Sequence, residues 1–136
     1  LEKVFNIPDK FKLLYMSSMS GNMAIPMAAL KLDVYGEEKQ TSEFGVGPID
    51  ACFNAIQKLT DRAPKLLEYT INAITSGTDA QGEVTVKIEE NARTAVGRAA
   101  DPDIIVSSAK AYLNALNRLV KKEEETNGKD SGRKAD

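Results

Sequence analysis

Two stretches of the chain repeat apolar residues at the spacing of an amphipathic α-helix. In the first stretch the apolar stripe consists of Ile49, Cys52, Phe53, Ile56 and Leu59. In the second stretch it consists of Ile105, Ala109, Tyr112, Leu113 and Leu116. Proline suits the first position of a helix, so Pro48 and Pro102 predict where the two helices begin. Asp101 precedes the second proline and supplies a capping carboxylate.

Alternation of apolar and polar residues predicts strands ahead of each helix. The clearest case is the segment 83–89, in which Val84, Val86 and Ile88 share one face. The predicted strands are 11–17, 30–35 and 40–45 before the first helix, and 66–75, 83–89 and 93–98 before the second. Pro26 lacks the N–H of a ladder hydrogen bond, so we expect its strand to begin after it or to lie at an edge there.

The two halves of the chain are similar to each other. Residues 54–59 read Asn-Ala-Ile-Gln-Lys-Leu, and residues 114–119, sixty positions later, read Asn-Ala-Leu-Asn-Arg-Leu. The pattern therefore predicts an α+β fold of two βββα units, about 10–62 and about 65–120, each an antiparallel three-stranded sheet covered on one side by a helix. Because one such unit buries little apolar surface alone, we expect the two halves, and two chains, to pack together.

The last sixteen residues, 121–136, differ from the rest in composition. Five are basic, five are acidic, and Ala135 is the only apolar residue among them. Such a segment buries too little apolar surface to offset the entropy of ordering it. We therefore expect the second helix to fray there into a disordered tail.

Composition excludes several classes of function. The 136 residues include no histidine, which removes Ser-His-Asp and Cys-His catalysis and every metal site that needs imidazole. A net charge of −2 offers no basic field to a nucleic acid, and no apolar run reaches the roughly 20 residues of a membrane span. Cys52 is the single cysteine, and we expect a buried structural thiol in a cytoplasmic protein. The first residue is Leu1 rather than Met, from which we expect a piece of a longer protein.

Two segments are suited to bind a small ligand that carries one negative and one positive charge. Residues 76–82, Ser-Gly-Thr-Asp-Ala-Gln-Gly, predict a seven-residue loop whose glycines let a backbone approach a ligand, although a plain surface loop fits them equally well. The first helix has Gly47 at its cap, which leaves backbone N–H groups free for a carboxylate. Asp50 lies in the first turn and is suited to an ammonium group. At the second helix we expect Asp101 to satisfy the corresponding donors itself.

Longer motifs resemble a known family. They are Gly45–Ala51, Thr75–Val86, Val96–Arg98, Asp103–Val106 and Ala109–Leu119. Together they resemble the C-terminal regulatory domain of 2-isopropylmalate synthase, over roughly Val4 to Leu119.

The resemblance implies a function that composition alone does not. In that family an upstream (β/α)₈ barrel holds a divalent metal partly through histidines and condenses acetyl-CoA with 3-methyl-2-oxobutanoate in leucine synthesis. The C-terminal domain pairs with its copy in a homodimer, binds leucine and transmits feedback inhibition to the barrel. A chain without histidine agrees with the absence of the barrel. We therefore expect a regulatory domain over residues 1–120, with no catalytic residue and no cofactor of its own.

Carried onto this sequence, the resemblance implies an effector site made of two parts. The leucine carboxylate is expected at the N–H groups of residues 47–50, and its ammonium group at Asp50 or at carbonyls of residues 77–79. The expected effector-binding residues are Gly47, Pro48, Ile49, Asp50, Phe53, Ser76, Gly77, Thr78, Asp79 and Ile105. Of these, the wall around the isobutyl group is expected from Ile49, Phe53 and Ile105. Two alternatives stay open: the isoleucine-binding domain of citramalate synthase, and a dimerisation module without a ligand.

Overall fold

A computed structural model describes residues 9–21, 24–76 and 79–135. In chain order its elements are β1 (Phe11–Gly21), β2 (Ala24–Val34), β3 (Glu37–Phe44), α1 (Pro48–Thr60), β4 (Lys65–Ser76), β5 (Asp79–Glu90), β6 (Arg93–Asp101) and α2 (Ile104–Ala135). Strands β1–β3 form one antiparallel sheet and β4–β6 a second, each in sequential strand order. We call β1 to α1 unit 1 and β4 to α2 unit 2. The predicted α+β fold of two βββα units is confirmed.

Both units carry the same irregularity in their first strand. In β1 the register with β2 skips Leu14, and in β4 the register with β5 skips Leu67. Each skipped leucine follows another leucine, Leu13 or Leu66, that still faces a partner in the neighbouring strand. A bulge interrupts the regular ladder, so its recurrence at corresponding places shows that the two units are structural copies.

The two helices supply much of the buried surface. α1 lies on β2 and β3, whereas α2 lies on β5 and β6 and also touches β1 and α1. The predicted stripe of α1 is buried except at its start, where Ile49 is half-buried. Between residues 107 and 120 of α2, only Lys110, Asn114 and Arg118 are exposed. α2 is therefore a core helix shared by both units.

Gly97 in β6 sets how closely α2 approaches its sheet. A Cβ at this position would lie 2.1 Å from the carbonyl oxygen of Ala111 and 2.4 Å from the backbone nitrogen of Ala115. Any larger residue would push the helix away from the strand. The packing of unit 2 thus depends on glycine at this point.

Asn117 joins α2 to the first strand of unit 1. Its side-chain oxygen accepts hydrogen bonds from the backbone N–H groups of Lys10 at 3.0 Å and Phe11 at 2.9 Å. Its Nδ2 donates to the carbonyl oxygen of Phe11 at 2.9 Å. Asn117 is 5% exposed, so these bonds satisfy a polar group inside the core and fix β1 against α2.

One predicted boundary is confirmed in its second alternative, and another is wrong. β2 begins before Pro26, but β3 pairs with β2 only from Met27 onward, so Pro26 lies at a locally open edge of the central strand. The strand tolerates proline because Pro26 has no partner in the register with either neighbour, where the β1 pairing is irregular. The second helix begins at Ile104 and not at Pro102, because Asp103 caps it.

α2 continues through residues 121–135 to Ala135, over the segment where the composition predicts a fraying tail. The charges at its beginning meet opposite charges on the folded units. Arg62, which follows α1, bonds Glu123 through both of its terminal nitrogens at 2.8 and 2.9 Å and bonds Glu90 of β5 at 2.5 Å. Lys121 pairs with Asp9 at 3.2 Å. In the described residues neither helix has a stretch that is both long and apolar enough to cross a bilayer.

The Arg62–Glu123 pair predicts a pH-dependent contribution to stability. The hydrogen bond from Arg62 lowers the pKa of Glu123. A lowered carboxyl pKa stabilises the fold above the pKa of the unfolded chain, and this contribution is lost as the pH falls through the folded value. We expect Glu123→Gln to lower the free energy of unfolding by about 1–2 kcal/mol at pH 7, with the deficit vanishing in acid. Urea unfolding at several pH values measures this.

The exposed Lys31–Glu38 pair provides the control for that series. The two side chains are 41% and 63% exposed. Glu38→Gln should therefore change stability by about 0.5 kcal/mol or less at any of these pH values. An equal loss from both variants would contradict the structural role given to Glu123.

Asn117→Ala should destabilise the fold by about 2–4 kcal/mol, because it removes three hydrogen bonds and leaves backbone groups of β1 without partners. Asn114→Ala is the matched control on the same helix. Asn114 is exposed and makes one hydrogen bond, to the carbonyl oxygen of Arg98. Its loss should cost about 1 kcal/mol or less in urea unfolding. Similar losses for the two asparagines would show that β1 is not held by Asn117.

Candidate functional site

α1 begins without a side-chain cap. Gly47 is the N-cap residue, with extended backbone at φ −145° and ψ 176°, and its carbonyl oxygen accepts a hydrogen bond from the N–H of Ala51 at 2.9 Å. Pro48 has no N–H, and in the described part of the chain no side chain accepts from the N–H groups of Ile49 and Asp50. A Cβ on Gly47 would meet nothing within 4 Å. This helix start is thus open and carries uncapped donors, as the sequence predicts.

Asp50 already has one partner at this helix start. Its Oδ2 accepts a hydrogen bond from the N–H of Val46 at 2.8 Å. The loop lies so close to the first turn that a Cβ on Gly45 would be 2.4 Å from the nitrogen of Ala51. Asp50 is exposed, and among the described residues its Oδ1 has no hydrogen bond. The carboxylate therefore holds the loop through one oxygen, while the exposed second oxygen accepts no hydrogen bond within the described residues.

α2 begins differently, with its donors satisfied by its own residues. Asp101 accepts from the N–H of Asp103 at 3.0 Å, and Asp103 accepts from the N–H of Ile105 at 2.8 Å. The hydroxyl of Ser107 also bonds carbonyl oxygens at this end, including that of Gly82 at 2.9 Å. The capping residue of α2 is thus Asp103 and not Asp101 as expected, because Asp101 accepts from the N–H of the cap residue itself. Of the two helix starts, the α1 start is therefore the candidate anion site.

The predicted seven-residue loop over residues 76–82 is wrong. Ser76 faces Asp79 in the ladder, so β4 and β5 are joined by two residues only. Ladder bonds use the backbone, so the small and polar residues 79–82 extend β5 without an apolar pattern. Gly82 serves packing, because a Cβ there would lie 2.4 Å from Cδ1 of Ile104. Gly77 and Thr78 lie outside the described residues, as do the side chains of Ser76 and Asp79.

The starts of the two helices lie at the same end of the fold. Phe53 contacts Tyr112, and further along Arg62 contacts Glu123, so the two helices run in the same general direction. The start of α1 and the start of α2, beside Gly82 of β5, therefore share one end. In the described residues, however, no Cα of α1 lies within 8 Å of β4 or β5. Backbone contacts thus do not join the two parts.

Phe53 belongs to an aromatic cluster between the units that the sequence did not reveal. Its ring centroid lies 4.5 Å from that of Tyr112 and 6.0 Å from that of Tyr69. The hydroxyl of Tyr69 lies 2.6 Å from that of Ser108, and Tyr112 accepts a hydrogen bond from Gln57 at 3.1 Å. Burial raises the pKa of Tyr112. Tyr112 lies in the predicted helical stripe, but no pattern indicates the Tyr69 contacts, which join β4 to both helices.

The three residues expected to surround the ligand side chain differ in burial. Phe53 is 8% exposed, and Ile49 is half-buried and packs against the core. Ile105 is half-buried in the first turn of α2. All three lie toward the helix starts, and Ile49 and Phe53 are one helical turn apart. The structure thus supports a shared apolar face for the two α1 residues.

The described residues contain little that points to catalysis. Burial raises the pKa of Cys52 to about 12, and its side chain is fully buried. A thiol in such surroundings stays protonated and inert. No group of three or more acidic or cysteine side chains within the described ranges is placed to hold a metal ion.

The sequence matches the family described as the LeuA allosteric (dimerisation) domain over residues 2–120. The chain belongs to this family. The match covers nearly the same range as the motifs from Val4 to Leu119, and the resemblance stated from those motifs is confirmed.

Several curated relatives share much of the sequence, and three illustrate them. A protein of Nitratidesulfovibrio vulgaris is 55% identical over 126 residues, which are 92% of this chain and 24% of the relative. One of Syntrophus aciditrophicus is 53% identical over 87% of this chain and 23% of the relative, and one of Solidesulfovibrio magneticus is 49% identical over 92% and 25%. All three are named 2-isopropylmalate synthase. The chain spans about a quarter of the length of these relatives.

The surroundings of Cys52 predict slow thiol chemistry in this domain. A pKa of about 12 leaves only about a thousandth of the thiolate of an unperturbed cysteine at pH 8, and burial blocks access as well. We expect a disulfide reagent to label the native chain at least about a thousandfold more slowly than the chain unfolded in guanidinium. Absorbance of the released thiolate follows both rates. Comparable rates would contradict the burial of Cys52.

Proposed function

We propose that this chain is the regulatory domain of a 2-isopropylmalate synthase, which binds leucine and works as a homodimer in feedback inhibition. The family match over residues 2–120 carries the proposal, and the relatives bear the name of that enzyme. On this proposal the condensation of acetyl-CoA with 3-methyl-2-oxobutanoate, and its divalent metal, belong to the part of the enzyme outside this chain.

The α1 start supports the binding of an α-amino acid. The carboxylate of the amino acid accepts hydrogen bonds from the uncapped N–H groups of Ile49 and Asp50, at the positive end of the helix. Its ammonium group pairs with the second oxygen of the Asp50 carboxylate, whose first oxygen is held by Val46. Both charges of the ligand thus meet opposite charge within one helical turn. The open space at Gly47 admits the ligand.

The apolar side chain of the ligand selects among the branched-chain amino acids. On the proposal it extends toward the face of α1 that carries Ile49 and Phe53, with Ile105 of α2 at the same end of the fold. One methylene in such a pocket changes the binding free energy by about 1–3 kcal/mol. The names of the relatives favour leucine over isoleucine as the ligand.

Calorimetry on the 136-residue chain tests the proposal. We expect leucine to bind more tightly than isoleucine, and more tightly than valine by about tenfold or more. Tighter binding of isoleucine would move the chain to the citramalate synthase alternative. Absence of heat with all three amino acids would favour a dimerisation module without a ligand.

The proposed role of Asp50 has its own test. Asp50→Asn keeps an oxygen for the N–H of Val46 but removes the charge, so leucine should bind about tenfold to a hundredfold more weakly. Asp103→Asn is the control at the other helix start, because Asp103 is the N-cap residue of α2 and already accepts a hydrogen bond from the N–H of Ile105. It should leave leucine affinity unchanged. Equal losses from the two variants would point to a general effect of charge and not to a site at α1.

A further inference from the structure

The outward face of the unit 1 sheet, which we call outer face 1, is the side turned away from α1. The opposite side of β2, beneath α1, consists of the buried residues Ala28, Leu30, Leu32 and Val34. On outer face 1, Met19 pairs with Met27 and Met27 with Phe44, so three large apolar side chains form a row across the sheet. Met19 and Phe44 are 61% and 62% exposed. Tyr15 extends the apolar surface along β1, at 63% exposure, and Ile25, at 67% exposure, lies at the irregular end of β2 near this row.

Unit 2 shows what the fold requires at these positions. Counted from the bulges at Leu14 and Leu67, the row of Met19, Met27 and Phe44 corresponds to Asn72, Glu83 and Ala100. The unit 2 equivalents of Tyr15, Met19, Met27 and Phe44 are, in that order, Glu68, Asn72, Glu83 and Ala100. Three apolar positions are thus polar in the second copy, and the fourth is a small alanine. Because the same architecture forms with a polar outward face, folding does not require the apolar one.

We propose that outer face 1 binds the same face of a second copy of this chain. The inference rests on the proposed function for its partner, since the family is described as a dimerisation domain. An exposed cluster of large apolar side chains that folding does not need is typical of an interaction surface. The residues are Met, Phe, Tyr and Ile, of which the first three types are enriched at the centres of protein interfaces.

The charges on outer face 1, and the presence of one such face on each chain, are consistent with a second copy of this chain as the partner. Lys31 carries the charge nearest to the apolar end of outer face 1, and it pairs with Glu38 at 2.9 Å. Two identical faces therefore meet about a twofold axis without like-charge repulsion at their centre. The corresponding face of unit 2 is polar, so each chain offers one outward sheet face for this contact. A single self-complementary face gives a closed dimer and not a filament.

A second apolar surface, on β4, is the rival location. Leu66, Leu67 and Ile71 are exposed there, but by 44%, 41% and 49% only. Ile71 lies on the sheet side that faces α2, opposite the buried Val84 of β5. The exposure of β4 thus arises at the edge of the core, whereas outer face 1 is turned wholly away from it.

Exchanging residues between the two units tests the proposal. The variant Tyr15→Glu, Met19→Asn, Met27→Glu and Phe44→Ala places unit 2 residues on outer face 1. Analytical ultracentrifugation of the 136-residue chain should show a dimer for the native protein and a monomer for the variant, with the dimer Kd raised about a hundredfold or more. Circular dichroism and thermal melting should show that the variant remains folded. Phe44→Ala alone, at an exposed position, covers the case in which the fourfold variant does not fold.

Two control variants show whether the dimer forms through outer face 1 or through another surface of the chain. Asn72→Ala alters the corresponding row of unit 2 and should leave the dimer intact. Ile71→Ser places the residue of unit 1, Ser18, on the rival β4 surface, and should also leave it intact. Dissociation by Ile71→Ser with no effect of the fourfold variant would overturn the proposal, as would a native chain that stays monomeric. Calorimetry on the native chain separates the two proposals, because a dimer without leucine binding contradicts the regulatory function and leaves the interface standing.

Discussion

The fold depends on one constraint, which is that neither three-stranded sheet can bury its inner face with the residues of its own strands. α1 covers the first sheet and α2 the second, and α2 also touches β1 and α1, which joins the two units. Two residues allow that position. Gly97 removes the side chain that would hold the helix away from β6, and Asn117 satisfies the backbone of β1 from inside the core. A shift of α2 by the width of one methyl group would break both contacts at once.

The sequence predicts the elements well wherever the pattern along the chain is itself the cause of the structure. Val84, Val86 and Ile88 alternate because one face of β5 is buried, and the alternation predicts the strand directly. It fails where the cause lies elsewhere in the chain. Gly82 is predicted to be a loop residue, yet it lies in β5, where the Ile104 side chain of α2 packs against it. The segment after residue 120 reads as a tail because its main partner, Arg62, is distant in sequence.

The candidate site also has features that the local sequence predicts and features that depend on distant parts of the chain. Proline and glycine at the start of α1 predict an uncapped helix end, since capping is decided by neighbouring residues. The bond from Val46 to Asp50 and the contacts of Tyr69 depend on how the chain folds back, and no local pattern contains them. The duplication of the unit helps here, because a comparison of the two copies shows which features the fold itself requires. α2 has a capping aspartate, Asp103, where α1 has glycine, and unit 2 has a polar outward face where unit 1 has an apolar one.

The proposed ligand site and the proposed interface share one segment of unit 1. Phe44 ends β3 within outer face 1, its carbonyl oxygen accepts from Asn54 of α1, and Gly45, the next residue, donates to the carbonyl oxygen of Pro26. Asp50 then fixes the loop through Val46. A ligand that changes this loop changes the position of Phe44 at the interface, and by linkage dimerisation changes ligand affinity by the same factor. A ligand that bound monomer and dimer equally would transmit nothing, so the shared loop is where a difference between the two states has to arise.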